Sequence, residues 1–107
     1  MELIQYSIVL VNLDPTVGSE IKKTRPCVII SPDEVNKHLQ TLTIAPMTSQ
    51  SKNYPTRIKV KHDQKIGWIV LDQIRTIDKQ RVLKSLDQLT ESEITKVKLI
   101  IKETFVD

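Results

Sequence analysis

The residues best suited to chemistry in this chain are charged and hydroxyl-bearing side chains gathered in polar segments between apolar runs. Glu20 and Arg25 lie in the stretch from Asp14 to Pro26, with Ser19, Lys22 and Lys23 beside them. Thr48, Ser49 and Gln50 belong to a second polar stretch from Met47 to Pro55, and Asp72, Gln73 and Arg75 follow the apolar run that ends at Leu71. Carboxylate, guanidinium and hydroxyl groups suit metal-free cleavage of RNA. That reaction needs a base for the 2′-hydroxyl proton, a cation for the phosphorane-like transition state and an acid for the departing 5′-oxygen. Each group also has a structural use. Arg25 can pair with Glu20 or Asp72, Thr48 can cap a turn, and Asp72 can satisfy backbone N–H groups at a bend.

Other chemistries find little support. His38 and His62 stand apart and Cys27 is the only cysteine, so no closely spaced ligand pair exists; no metal and no cofactor are expected. No glycine-rich phosphate loop is present, and no motif ties a histidine to a serine or to Cys27 as a nucleophile. A lone cysteine cannot form an internal disulfide, which fits a reducing, cytoplasmic setting. No apolar run nears the roughly 20 residues that span a bilayer, and the N-terminus does not resemble a signal peptide, so no membrane partner is expected.

The 107 residues, 39% hydrophobic and 27% charged, read as one globular domain over 1–107. Sixteen basic against thirteen acidic residues give a formal charge of +3, which permits a polyanionic partner without demanding one. Aromatic residues are sparse. Trp68 and Phe105 have apolar neighbours and are expected in the core, whereas Tyr54, in a polar loop, is the candidate to stack on a base.

The elements that must position these groups are mostly strands. Short runs rich in β-branched residues at Ile8–Leu13, Cys27–Ile30, Leu42–Ala45, Gly67–Leu71 and Ile74–Ile77 are too brief for helices. Thr56 to Lys61 alternates, with Ile58 and Val60 facing the core and Arg57, Lys59 and Lys61 facing water or a polyanion. A last short strand is expected from Val82 to Leu86. Pro26 suits the first position of its strand, and Pro46 predicts a strand end or an edge. Ser31 with Glu34 predicts a capping box on a short helix, and Thr90 with Glu93 predicts another on a longer one. Leu89 and Ile94 can staple that last helix, whose apolar face carries Ile94, Val97, Ile101 and Phe105. The expected architecture is mainly β with appended helices (α+β), a small, strongly bent or barrel-like sheet.

Several ordered motifs then carry a resemblance. Asn12-Leu13-Asp14-Pro15-Thr16 with Gly18-Ser19-Glu20, Thr24-Arg25-Pro26, Ala45-Pro46-Met47-Thr48-Ser49, Tyr54-Pro55 and Leu71 through Arg81 together resemble the MazF/PemK family of toxin endoribonucleases. The resemblance implies an SH3-like small β-barrel of the CcdB/PemK kind with a C-terminal amphipathic helix, assembled as a homodimer. It implies sequence-specific, metal-independent cleavage of single-stranded RNA (an mRNA interferase) leaving 2′,3′-cyclic phosphate and 5′-hydroxyl ends. It also implies a cognate MazE-like antitoxin in a type II toxin–antitoxin system. By position, Arg25, Thr48 and Glu20 resemble catalytic residues, and Ser19 resembles an RNA contact. Lys22, Lys23, Ser49, Gln50 and Tyr54 are the further RNA-binding candidates, and Asp72 stands as either an additional catalytic group or a structural one.

The chain departs from the family pattern in places. The PemK-type branch has an arginine two residues before the position of Asp72, where this chain has Val70. Ile21-Lys22-Lys23 replaces a glycine-rich segment, and Tyr6-Ser7 replaces a Gly-Asp pair. Other readings of a small barrel are a CcdB-like gyrase poison, which would want a tryptophan near the C-terminus, and a non-catalytic RNA-binding module.

Overall fold

The computed structural model describes residues 2–106. The apolar runs form strands, as their length and β-branched content require: β1 (Ser7–Asn12), β2 (Thr24–Ile29), β3 (Thr41–Thr48), β4 (Arg57–His62), β5 (Lys65–Val70), β6 (Arg75–Asp78) and β7 (Val82–Gln88). Their spatial order is β4-β5-β3-β2-β1-β7, with β6 also paired to β3, and every described pairing is antiparallel. Helix α1 (Asp33–His38) joins β2 to β3, and α2 (Glu91–Ile101) follows β7 and continues as a wider turn over Lys102–Val106.

The continuous apolarity of β1, β2 and β3 comes from burial on both faces of the sheet. Ile8, Val28, Ala45 and Met47 pack on one side with Ile58, Val60, Ile69, Leu89 and Val97. Val9, Val11, Cys27, Ile29, Leu42 and Ile44 pack on the other with Leu13 and Ile77. Alternate side chains thus point into different halves of the core. Helix α2 closes the first half through Val97, its fully buried residue, as the expected apolar face requires.

Pro46 lies inside a strand, contrary to the expected end or edge. β3 runs through it because the strand changes partners there: Ile44 pairs with Arg75 of β6, whereas Met47 pairs with Ile69 of β5. A residue without an N–H is tolerated at that seam. β2 likewise begins earlier than its apolar run, at Thr24, so Pro26 is its third residue and sits opposite Leu10. The opening loop therefore spans only residues 13–23, and the second loop begins after Thr48.

The capping expectations divide. Thr90 Oγ1 accepts from Glu93 N at 3.2 Å and Glu93 Oε1 accepts from Thr90 N at 2.8 Å, the reciprocal box expected. Ser31 does not cap α1. Pro32 takes that position, and the Ser31 hydroxyl is engaged with Asn36 Oδ1 at 2.5 Å and with Thr43 N at 3.1 Å, tying α1 to β3. Neither Trp68 nor Phe105 is in the core. Trp68 is half-buried beneath Lys59, and Phe105 is 56% exposed because it lies beyond the part of α2 that contacts the sheet.

Ile44, fully buried at the β3 seam, gives a direct test of this packing. Ile44→Ala is expected to cost about 2–5 kcal/mol in urea denaturation; a loss within about 0.5 kcal/mol, the range of surface changes, would contradict the burial described.

Candidate RNA-cleavage site

Arg25 is the second residue of β2, opposite Val11 of β1, and Thr48 is the last residue of β3, opposite Trp68 of β5. Two strands thus bring them from distant sequence positions onto one open groove of about 800 Å³, which Ser49 and Lys65 also line. Arg25 does not pair with Glu20 or Asp72. Its Nε donates to the Lys22 carbonyl at 3.1 Å, a single bond that leaves the other guanidinium N–H groups for an anion. The Thr48 hydroxyl forms a small turn with Gln50, donating to its carbonyl at 3.2 Å and accepting from its N–H at 3.3 Å. Gln50 itself is exposed, held by these bonds at the groove's edge.

Glu20 and Ser19 line a second, smaller depression of about 390 Å³ with Asp72 and Gln73. Pro46 forms part of its wall and the next residue, Met47, part of the groove's, so the two concavities flank one strand. Glu20 Oε1 accepts from Val17 N at 2.6 Å, which shapes the tip of the opening loop around Gly18, a glycine at φ +58°. Lys22 and Lys23 are exposed and neither lines the groove or the depression.

The opening loop is braced by the segment that follows Leu71. Gln73 Oε1 accepts from Ile21 N at 2.8 Å, Arg75 Nη1 donates to the Leu13 carbonyl at 3.2 Å, and Arg81 donates to the carbonyls of Asn12 and Asp14. A long polar loop must satisfy its backbone groups somewhere. Here three side chains more than fifty positions away do so.

Asp72 belongs to a different arrangement. Its two carboxylate oxygens accept from Arg57 Nε and Nη2, each at 3.2 Å, and Oδ1 also accepts from the Thr56 hydroxyl at 2.8 Å. Partial burial pushes the carboxyl upward, but the bonds from Arg57 and Thr56 outweigh it and hold Asp72 below the usual carboxylate range. Arg57, expected to face water or a polyanion, is therefore already paired. It sits opposite Val70, so the guanidinium facing Asp72 comes from the adjacent strand. Counting back from the turn at Asp63 and Gln64, both at positive φ as a two-residue hairpin demands, would have placed Arg57 there.

His62 is the other participant not foreseen. It ends β4 on the wall of the groove, with Nδ1 2.8 Å from Asp87 Oδ2 and Nε2 3.1 Å from Glu93 Oε1. Burial works against its charge, yet the bond to Asp87 and the attraction of Glu93 prevail and raise its pKa above the ordinary 6.5. The bond from His62 in turn lowers that of Asp87. Among the described residues, no group of three His, Cys, Asp or Glu side chains is placed to hold a metal ion, and no helix is long and apolar enough to cross a membrane.

A family profile described as "PemK-like, MazF-like toxin of type II toxin-antitoxin system" matches residues 4–105. The chain belongs to that family. It is 35% identical over 96 residues to a protein named endoribonuclease MazF from Staphylococcus epidermidis, covering 84% of this chain and 80% of that one. Its fold resembles a crystal structure of MazF from Deinococcus radiodurans, with a TM-score of 0.87 at 22% identity over 100% of this chain and 99% of the other. It also resembles a mycobacterial endoribonuclease in complex with its cognate antitoxin, with a TM-score of 0.82 at 16% identity over 97% and 95% of the two chains. The small curled sheet with a C-terminal helix is thus the fold of MazF toxins.

Within this family fold the His62 tie has a definite pH signature. Folded His62 keeps its proton to higher pH than the unfolded chain does, so the tie contributes fully below about pH 6.5 and is lost as pH rises through the raised value. Protonation of Asp87 removes it again only in acid, below the usual carboxylate value of 3.8. His62→Gln is expected to lower the urea midpoint most between these limits, with the deficit shrinking in alkali. A deficit that does not change with pH would show that the charge on His62 is irrelevant.

Proposed function

We propose that this chain is the endoribonuclease toxin of its pair, a single toxin domain that cuts single-stranded RNA without a metal. The carrying observation is that Arg25 and Thr48, on separate strands, share one open groove. The Staphylococcus epidermidis relative, named as an endoribonuclease, supports the same activity here. A phosphate in the groove meets the free N–H groups of Arg25, whose charge stabilises the phosphorane-like transition state, and the Thr48 hydroxyl adds a hydrogen bond to it. Glu20, across Pro46, takes the 2′-hydroxyl proton with its carboxylate. The 2′-oxygen attacks phosphorus, the bond to the 5′-oxygen breaks, and that oxygen takes a proton from solvent through the open groove. The products are a 2′,3′-cyclic phosphate and a 5′-hydroxyl.

Ser49 supplies a hydroxyl beside the reacting phosphate and Ser19 one in the adjoining depression, while Lys22 and Lys23 on the exposed loop and Gln50 at the groove edge contact flanking nucleotides. Messenger RNA places the work in the cytoplasm. The chain acts as a homodimer, for which exposed Leu83, Leu99 and Phe105 offer apolar surface, and its activity is blocked by a MazE-like antitoxin; a mycobacterial endoribonuclease of this fold is seen in complex with its cognate antitoxin.

Purified protein is expected to cut single-stranded RNA at specific sites in EDTA and to leave cyclic-phosphate ends. Arg25→Ala should keep its circular dichroism spectrum and lose about 10²–10³ in cleavage rate. RNA left intact across varied sequences, or full activity in Arg25→Ala, would refute the reading.

A further inference from the structure

The Arg57 guanidinium is held by three side chains at once. Nε and Nη2 hold both oxygens of Asp72, each at 3.2 Å, and Nη1 donates to Ser51 Oγ at 3.0 Å. The guanidinium also lies over the Tyr54 ring, 4.9 Å from its centroid. The surrounding backbone is fixed by Arg57 N to the Tyr54 carbonyl at 3.1 Å and by Leu71 N to the Thr56 carbonyl at 3.0 Å. The contacts to Ser51, Tyr54 and Thr56 constrain the second loop, which has no regular structure between β3 and β4, and the pair with Asp72 fixes the guanidinium that reaches Ser51 and Tyr54.

Tyr54 remains 46% exposed although Arg57 covers one side of its ring. A flat aromatic face held toward solvent by a cation behind it is a preorganised surface for another flat, electron-rich ring. Asp72, at the far end of the same ion pair, lines the depression shared with Ser19 and Glu20. The aromatic face is therefore tied directly to the surface on which the proposed RNA lies.

We infer that Tyr54 is a stacking platform for one unpaired base of the substrate, and that Arg57 and Asp72 are positioning residues that hold it. This rests on the ribonuclease reading above. The three hydrogen bonds that Asp72 accepts from Arg57 and Thr56 fit it to holding the platform, and its lowered pKa makes it a weak base. A stacked base is read by its face more than its edge, so the platform contributes affinity and only a mild preference among bases.

The experiment uses the full chain and an RNA oligonucleotide carrying a cut sequence mapped on longer RNA, made uncleavable by a 2′-deoxy nucleotide at the scissile position. 2-Aminopurine replaces each flanking base in turn, and its fluorescence reports stacking. Wild type should quench one position. Tyr54→Ala should lose that quench and raise KM about 5- to 150-fold while kcat changes little, and Tyr54→Phe should restore both. Arg57→Lys and Asp72→Asn should weaken the quench and raise KM in the same sense. Quenching at no position, or quenching that survives Tyr54→Ala, overturns the platform. A collapse of kcat in Asp72→Asn with KM unchanged overturns its positioning role. Cleavage of the longer RNA by wild type is scored first: its failure counts against the ribonuclease reading, and the fluorescence, then read on single-stranded oligonucleotides of varied sequence, still decides the platform.

Discussion

The structure depends on one strand that serves different neighbours along its length. β3 keeps β2 on one side throughout its middle, but on the other side it passes from β6 to β5 across Pro46. A sheet whose central strand changes partner must curl, since β5 and β6 cannot both continue in one plane beside it. That curl produces the two halves of the core, and it leaves a concavity on either side of the seam. Proline fits because it stands at the gap between the pairings of Ile44 with β6 and Met47 with β5. The same residue that would break an ordinary central strand marks the ridge between the two polar surfaces.

The opening loop is ordered by remote side chains more than by its own sequence. Gln73, Arg75 and Arg81 reach its backbone from the segment after Leu71. This gives a physical reason for the polar residues of Asp72 through Arg81: one set braces a loop, and Asp72 anchors a different one. Neither use needs those residues to touch substrate. The groups free to meet an anion are instead on the strands and the loop that this brace supports, with Arg25 the clearest because it makes one bond to a backbone carbonyl.

Strand content was legible in the sequence because buried β-branched runs have few other structures available at that length. The last helix was legible because its capping box, staple and apolar spacing agree with one another. Ser31 misled because a serine before a proline can bond backwards into the sheet as readily as forwards into a helix, and Asn36 and Thr43 were beyond local view. Phe105 continued a helical period past the point where the helix has anything to pack on. In the site, Arg25 and Thr48 were visible as residue types, and their meeting depended on strand pairing. Arg57 and His62 were not seen, since an alternating strand hides which of its polar residues find partners across the sheet. A lone histidine likewise gives no local hint that two carboxylates from β7 and α2 will close around it.

Glu93 Oε1 accepts from Thr90 N and also faces His62 Nε2, so one atom serves the helix start and the groove wall at once. Contributions that share an atom are not additive. Fraying of the first helical turn and release of the β4 end are then a single cooperative opening instead of two independent ones. The C-terminal helix, which looks like a cover for the core, is by this bond joined to the wall of the groove.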